Sequence, residues 1–134
     1  MTSARECWAL SLLLICFLGL FGCSKVTDRS QVIGTYEAHH RNGIETLELQ
    51  PDGKYKHHFR AADGIETTHS NKWEFEPYYG EPQVALHNFS PYFPQKSHTE
   101  PVGITLLGIQ HGWGAIRLYL NYDRDEYYSK KAVK

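Results

Sequence analysis

Beyond residue 23 the chain contains no cysteine; its three cysteines are Cys7, Cys16 and Cys23. Residues 24–134 therefore have no disulfide and no cysteine nucleophile, and must be held by a hydrophobic core. Neither sign of charge dominates. Lys and Arg number 14 against 15 Asp and Glu, a net charge of −1, which gives no general attraction to nucleic acid or anionic lipid. The apolar opening run Trp8–Phe21 would rise about 21 Å as a helix, short of the ~30 Å hydrocarbon core of a bilayer. No stretch has the period of a long amphipathic helix, no glycine loop would cradle a phosphate, and no serine sits in a nucleophile elbow. The acidic groups Glu74/Glu76 and Asp123/Asp125/Glu126 fit a solvated strand face and a turn. No catalytic residue and no cofactor is assigned, and enzymatic activity is not expected.

What is present begins with MTSARECWALSLLLICFLGLFGC. Arg5 gives a weakly positive start, Trp8–Phe21 carries no charge, and that length suits the apolar region of a signal peptide. Leu20-Phe21-Gly22-Cys23 resembles the lipobox of bacterial lipoproteins. The resemblance implies cleavage after residue 22, acylation of Cys23 and attachment to a membrane. A diacylated or triacylated cysteine meets the two-chain requirement for stable anchoring. Ser24 stands where the family's inner-membrane retention signal would place Asp, so the outer membrane is implied in a cell with two membranes. Segment 24–31 (SKVTDRSQ) is polar and unpatterned and reads as a tether.

From residue 32 onward the apolar positions alternate with period two, interrupted by turn signals about every ten residues, which predicts an all-β domain over 32–134. Strands are expected at 32–40, 44–50, 55–61, 65–76, 83–89, 102–110, 115–122 and 126–131. Between them lie Arg41-Asn42-Gly43, Pro51-Asp52-Gly53 and Ala62-Asp63-Gly64, turns by their Asn, Pro and Gly. Loops are expected at 77–82, 90–101 and 111–114. Eight short strands joined mostly by tight turns form an antiparallel up-and-down meander. Closing it into a small barrel would remove the exposed edges.

Gly34-Thr35-Tyr36, Leu47-x-Leu49-x-x-Asp52-Gly53-x-Tyr55 and Trp73-x-Phe75 resemble the small lipocalin-like domains of bacterial lipoproteins. That resemblance implies a barrel whose mouth admits a small apolar ligand. The aromatic side chains Tyr36, Tyr55, Phe59, Trp73 and Phe75, with Tyr119 and Tyr122, would either line such a cavity or fill the barrel as plain core.

Eight histidines and nine tyrosines are the unusual counts, and all of them follow residue 31. Alternation places His57 on the face of Tyr55 and Phe59, His69 on that of Trp73, and His40 on that of Tyr36. These three would form an imidazole set for zinc or copper if their strands are neighbours. A one-residue slip in register would turn them outward. Loop 90–100 and Tyr78-Tyr79-Gly80 suit either a partner contact or a cap over the barrel end. The leading expectation is a non-catalytic, membrane-anchored envelope protein binding a small apolar ligand or a protein partner, with no role in nucleic-acid binding. The alternatives are a histidine-dependent metal binder and an inhibitory or structural lipoprotein acting through its loops.

Overall fold

A computed structural model describes residues 25–92, 103–112 and 114–132. The signal peptide read over 1–22, the acylation site expected at Cys23 and residues 93–101 of the loop expected at 90–101 lie outside the described residues. One short helix, α1 (Arg29–Val32), precedes eight strands: β1 (Gly34–His40), β2 (Gly43–Leu49), β3 (Lys54–Ala61), β4 (Glu66–Tyr78), β5 (Glu81–His87), β6 (Ile104–Gly112), β7 (Ala115–Asn121) and β8 (Glu126–Lys130). They pair antiparallel in sequence order, and β8 returns to β1, closing the barrel. The expected meander is thus the observed one. The register follows the apolar alternation: Leu47 and Leu49, Tyr55 and Phe59, and Trp73 are all buried.

The strand expected at 83–89 ends at His87, the one expected at 102–110 runs on to Gly112, and the one expected at 32–40 starts at Gly34; two further differences shape the fold. The loop expected at 77–82 is mostly strand, because Pro77 pairs with Pro82 and Tyr78 with Glu81, leaving Tyr79-Gly80 as the turn. Both prolines sit where one strand edge carries no obligatory donor, and Tyr79 and Gly80 supply the positive φ values a tight turn needs. The segment read as a tether packs on the barrel from Lys25 on. Asp28 caps α1 by accepting from Ser30 N at 2.7 Å, and the Gln31 side chain accepts from the amides of Thr27 and Asp28. This capping box lies inside a segment too short for any helical period to be visible. Val26 and Val32 join the core.

α1 and the ends of the meander give the barrel two unlike poles. At one pole Arg29 lies 4.6 Å over the Trp73 ring and Lys25 reaches Glu81 at 3.1 Å, beside the β4–β5 turn. The opposite pole carries the β1–β2, β3–β4 and β7–β8 turns and the chain leaving β5. This second pole is the mouth.

Candidate functional site

The core below the mouth contains a carboxylate. Glu45 is fully buried, on the same face of β2 as Leu47 and Leu49. Four donors from different parts of the barrel converge on it. His57 Nε2 (β3) lies 2.5 Å and Tyr128 Oη (β8) 2.8 Å from Oε1; His40 Nε2 (β1) lies 2.8 Å from Oε2; the amide of Tyr92 donates to Oε1 at 3.0 Å. An ionised carboxylate only accepts, so the nitrogens His40 and His57 turn toward it carry hydrogens. Burial pushes the Glu45 carboxyl up, but the hydrogen bonds from both histidines, the His57 charge and the Tyr92 amide outweigh it and hold it at about 2, down from 4.5. Burial, then the Glu45 charge, pushes the Tyr128 phenol well above its ordinary value.

The folded-state value is the depressed one, so this carboxylate stabilises the fold above about pH 4.5, and that stability disappears as the pH falls toward about 2. A separation of this size corresponds to about 3 kcal/mol. Urea titrations of the wild type between about pH 5 and about pH 2 should show such a loss, and Glu45→Gln should remove most of this dependence. Equal pH dependence in the two chains would contradict the assignment.

The Tyr92 hydrogen bond matters because it turns the chain inward after β5. Trp73 pairs with Leu86, and continuing that register would set Asn71 against Asn88, His69 against Ser90 and Thr67 against Tyr92. Instead Asn88 takes φ +49°, a left-handed conformation asparagine tolerates, and its amide donates to Gly103 O at 2.8 Å. Phe89 then enters the barrel against Tyr55, His57 and Tyr128, and the Tyr92 ring stacks on Phe59 at 3.7 Å. Two recesses flank Tyr92. One of about 330 Å³ is lined by Asn42, Phe59, Ala61, Asp63 and Ile65; the other, of about 220 Å³, by His57, Thr67, Thr68, His69 and Ser90.

The residues singled out from sequence separate accordingly. Tyr36, Tyr55 and Trp73 are core: each is at most 1 % exposed. Their polar tips are satisfied by backbone, with Tyr36 Oη donating to Val32 O, Tyr55 Oη to His87 O and Trp73 Nε1 to Gln50 O. Phe75 packs at the margin of this core. Phe59 borders the recess of about 330 Å³. Tyr119 and Tyr122 are stacked at 4.5 Å on the outer face, where Tyr122 covers Gly108; a Cβ there would meet the Tyr122 ring at 2.9 Å. Of the two recesses among the described residues, neither is lined by Tyr36, Tyr55, Trp73 or Phe75.

His40, His57 and His69 do all face inward, but not as one ligand set. His40 and His57 spend their Nε2 atoms on Glu45, while His69 lies beyond His57 beside the Tyr55 ring. Among the described residues no group of three or more His, Cys, Asp or Glu is arranged to hold a metal ion. Glu45 was the missed residue. Its signal was present in the sequence, since period two puts it on the face of Leu47 and Leu49. Tyr128 and the Tyr92 amide gave no such signal, because they reach Glu45 from residues far along the chain. Comparison with known proteins finds no matching family model, no similar curated protein and no similar solved structure.

Proposed function

We propose that this chain is a non-catalytic, lipid-anchored envelope protein that binds a partner at the mouth of its barrel. The observation that carries the reading is the contrast between a filled interior and a recessed mouth. Tyr36, Tyr55, Trp73 and Phe89 occupy the space a lipocalin-like carrier would leave for its ligand. The mouth keeps two recesses and an Ile65 that is 60 % exposed. Anchoring through Cys23 supports the same reading. Lys25, two residues further on, is held at the pole of the β4–β5 turn, so an acyl anchor at Cys23 points the mouth away from the membrane. In a cell with two membranes the outer one is favoured, with the domain in the periplasm. Glu45 serves this function by fixing the inward course of residues 89–92, not by chemistry on a substrate.

Two measurements test the proposal in the native membrane. Metabolic labelling with an alkyne fatty acid should mark the wild type and not Cys23→Ser. A photo-crosslinking residue at position 65 should give a discrete adduct, whereas one at position 79 in the β4–β5 turn, 91 % exposed, should not. Absence of lipid label refutes the anchor. Equal crosslinking from both poles refutes the mouth.

A further inference from the structure

The β4–β5 turn carries two tyrosines that the fold leaves uncovered. Tyr79 is 91 % exposed and Tyr78 52 %, and their rings meet edge to face at 4.6 Å. Neither ring joins the core. Tyr79 also holds φ +48°, a left-handed conformation that strains a bulky residue and that asparagine or glycine adopts readily. The stability of the fold therefore does not account for a tyrosine at this position. The turn lies at the pole opposite the mouth, away from residues 88–92 and 103, where the chain leaves β5 and re-enters β6. Covalent geometry bounds its distance from the acylation site. Two residue steps span at most about 7 Å, so Cys23 lies within that distance of Lys25. Lys25 is itself held at the turn, its Nζ 3.1 Å from Glu81 Oε1 and 3.5 Å from Gly80 O, and Val26 behind it is fixed in the core. An acylated Cys23 sits at the headgroup level of a bilayer, a zone only about 5–8 Å deep in each leaflet.

We infer that Tyr78 and Tyr79 form a second membrane contact, seated in the interfacial zone of the lipid bilayer beside the acyl anchor. The inference rests on the lipid-anchor reading above and specifies how the anchored domain meets its membrane. Three observations select this occupant. First, the short reach from Cys23 to Lys25, and the Lys25 contacts with Gly80 and Glu81, bring the two rings to the membrane surface whatever binds at the mouth. Second, a tyrosine ring has an apolar body and a polar tip, the combination that collects at the boundary between acyl chains and headgroups. Third, the charges of this pole offset one another. Lys25 pairs with Glu81 at 3.1 Å, Lys54 with Asp52 at 3.7 Å and Lys131 with Glu37 at 2.5 Å, while Arg29 and Lys130 stand against Asp28 and Glu76. The contact is thus aromatic and does not depend on a basic patch drawn to anionic lipid. A single point of attachment does not define a tilt. A second point beside it does, and holds the mouth toward the aqueous side.

The mature chain, residues 23–134, carrying a single myristoyl-length chain on the Cys23 sulfur provides the test. One such chain binds vesicles only marginally, so a second contact becomes readable. Vesicles of phosphatidylcholine are the probe. Tyr78→Ser with Tyr79→Asn should lower the partition coefficient roughly tenfold, the effect of about 60 Å² of aromatic surface returned to water. Tyr78→Phe with Tyr79→Phe should preserve it. Asparagine suits the left-handed turn, so the first variant should resist urea as well as the wild type does, which separates a lost contact from a lost fold. In the unsubstituted chain, phospholipid with a nitroxide high on one acyl chain should broaden the Tyr78 and Tyr79 ring resonances and leave those of Asp63 and Ile65 at the mouth sharp. Unchanged partition in the Ser/Asn variant, rings left sharp by the nitroxide, or binding that follows anionic phosphatidylglycerol instead of the two rings overturns the tyrosine contact and leaves the acyl anchor standing. A discrete protein adduct from a crosslinker at position 79 overturns it too, and assigns the pair to a protein partner. The anchor is read separately by fatty-acid labelling of Cys23: without label, both readings fall.

Discussion

Glu45→Ala should destabilise the barrel by about 3–5 kcal/mol, a large part of the roughly 5–15 kcal/mol available to a domain of this size. The magnitude follows from what the carboxylate leaves behind. His40 and His57 lose the acceptor for a ring N–H, Tyr128 loses the acceptor for its hydroxyl, and Tyr92 loses the acceptor for its amide. Each donor left dry in the interior carries a desolvation penalty of about 1–3 kcal/mol, reduced wherever water or a second partner reaches it. Glu45→Gln should be milder, because its carbonyl oxygen still accepts on one side while its amide requires only one histidine to change tautomer. Urea unfolding measures both. Amide exchange adds a local readout: in either variant Tyr92 should exchange faster than the strand amides around it, since Glu45 is its acceptor. A loss under about 1 kcal/mol for Glu45→Ala, with Tyr92 still protected, would show that the cluster is a bystander.

The barrel was legible in this sequence because each strand signals its own buried face. Tyr55-x-His57-x-Phe59 and Leu47-x-Leu49 state which side is inward, and Asn-Gly, Pro-Asp-Gly and Asp-Gly state where the chain turns. Pairing in chain order needs nothing further. The mouth was not legible, for two physical reasons. Period two puts Glu45 on the inward face of β2, but the partners that hold it there, His40, His57, Tyr92 and Tyr128, arrive from four other positions in the chain. The inward course of residues 89–92 depends on Asn88 leaving the β-region at a residue whose neighbours, Leu86 and Phe89, would continue a strand equally well. The histidines illustrate the limit of alternation: it places all three indoors and says nothing of which atom each one faces. The aromatic residues show the same limit, since Tyr36 and Tyr55 are inward whether a barrel is hollow or full. The fold adds what alternation could not: both rings are fully buried and their hydroxyls donate to backbone carbonyls.

Trp73→Ala is expected to match the Glu45 variant in size, about 3–5 kcal/mol, or a fall of roughly 15–30 °C in Tm, and it does so at the opposite pole. Trp73 is the residue at which β4 passes from pairing with β3 to pairing with β5. Its amide bonds Gly53 O at 2.8 Å, its Cα stands opposite Leu86, and its indole Nε1 reaches Gln50 O at 2.9 Å across the β2–β3 turn. The ring is 1 % exposed, with the Arg29 guanidinium of α1 over it at 4.6 Å. Truncation therefore leaves a cavity, frees a carbonyl and removes the surface on which α1 rests. Arg29→Ala alone should cost only about 0.5–1 kcal/mol, since an exposed cation over a ring contributes little. The double variant separates the two effects. If α1 is held by the indole, Arg29→Ala should cost nothing further once Trp73 is alanine, and the coupling should equal the single Arg29 effect. Strict additivity would mean that α1 is seated by its other contacts, the apolar ones of Val26 and Val32 and the hydrogen bonds from Tyr36 Oη to Val32 O and from Lys130 Nζ to Gln31 O. In that case residues 25–32 would keep their place on the barrel without the indole, and the proposed orientation of the mouth would not depend on Trp73.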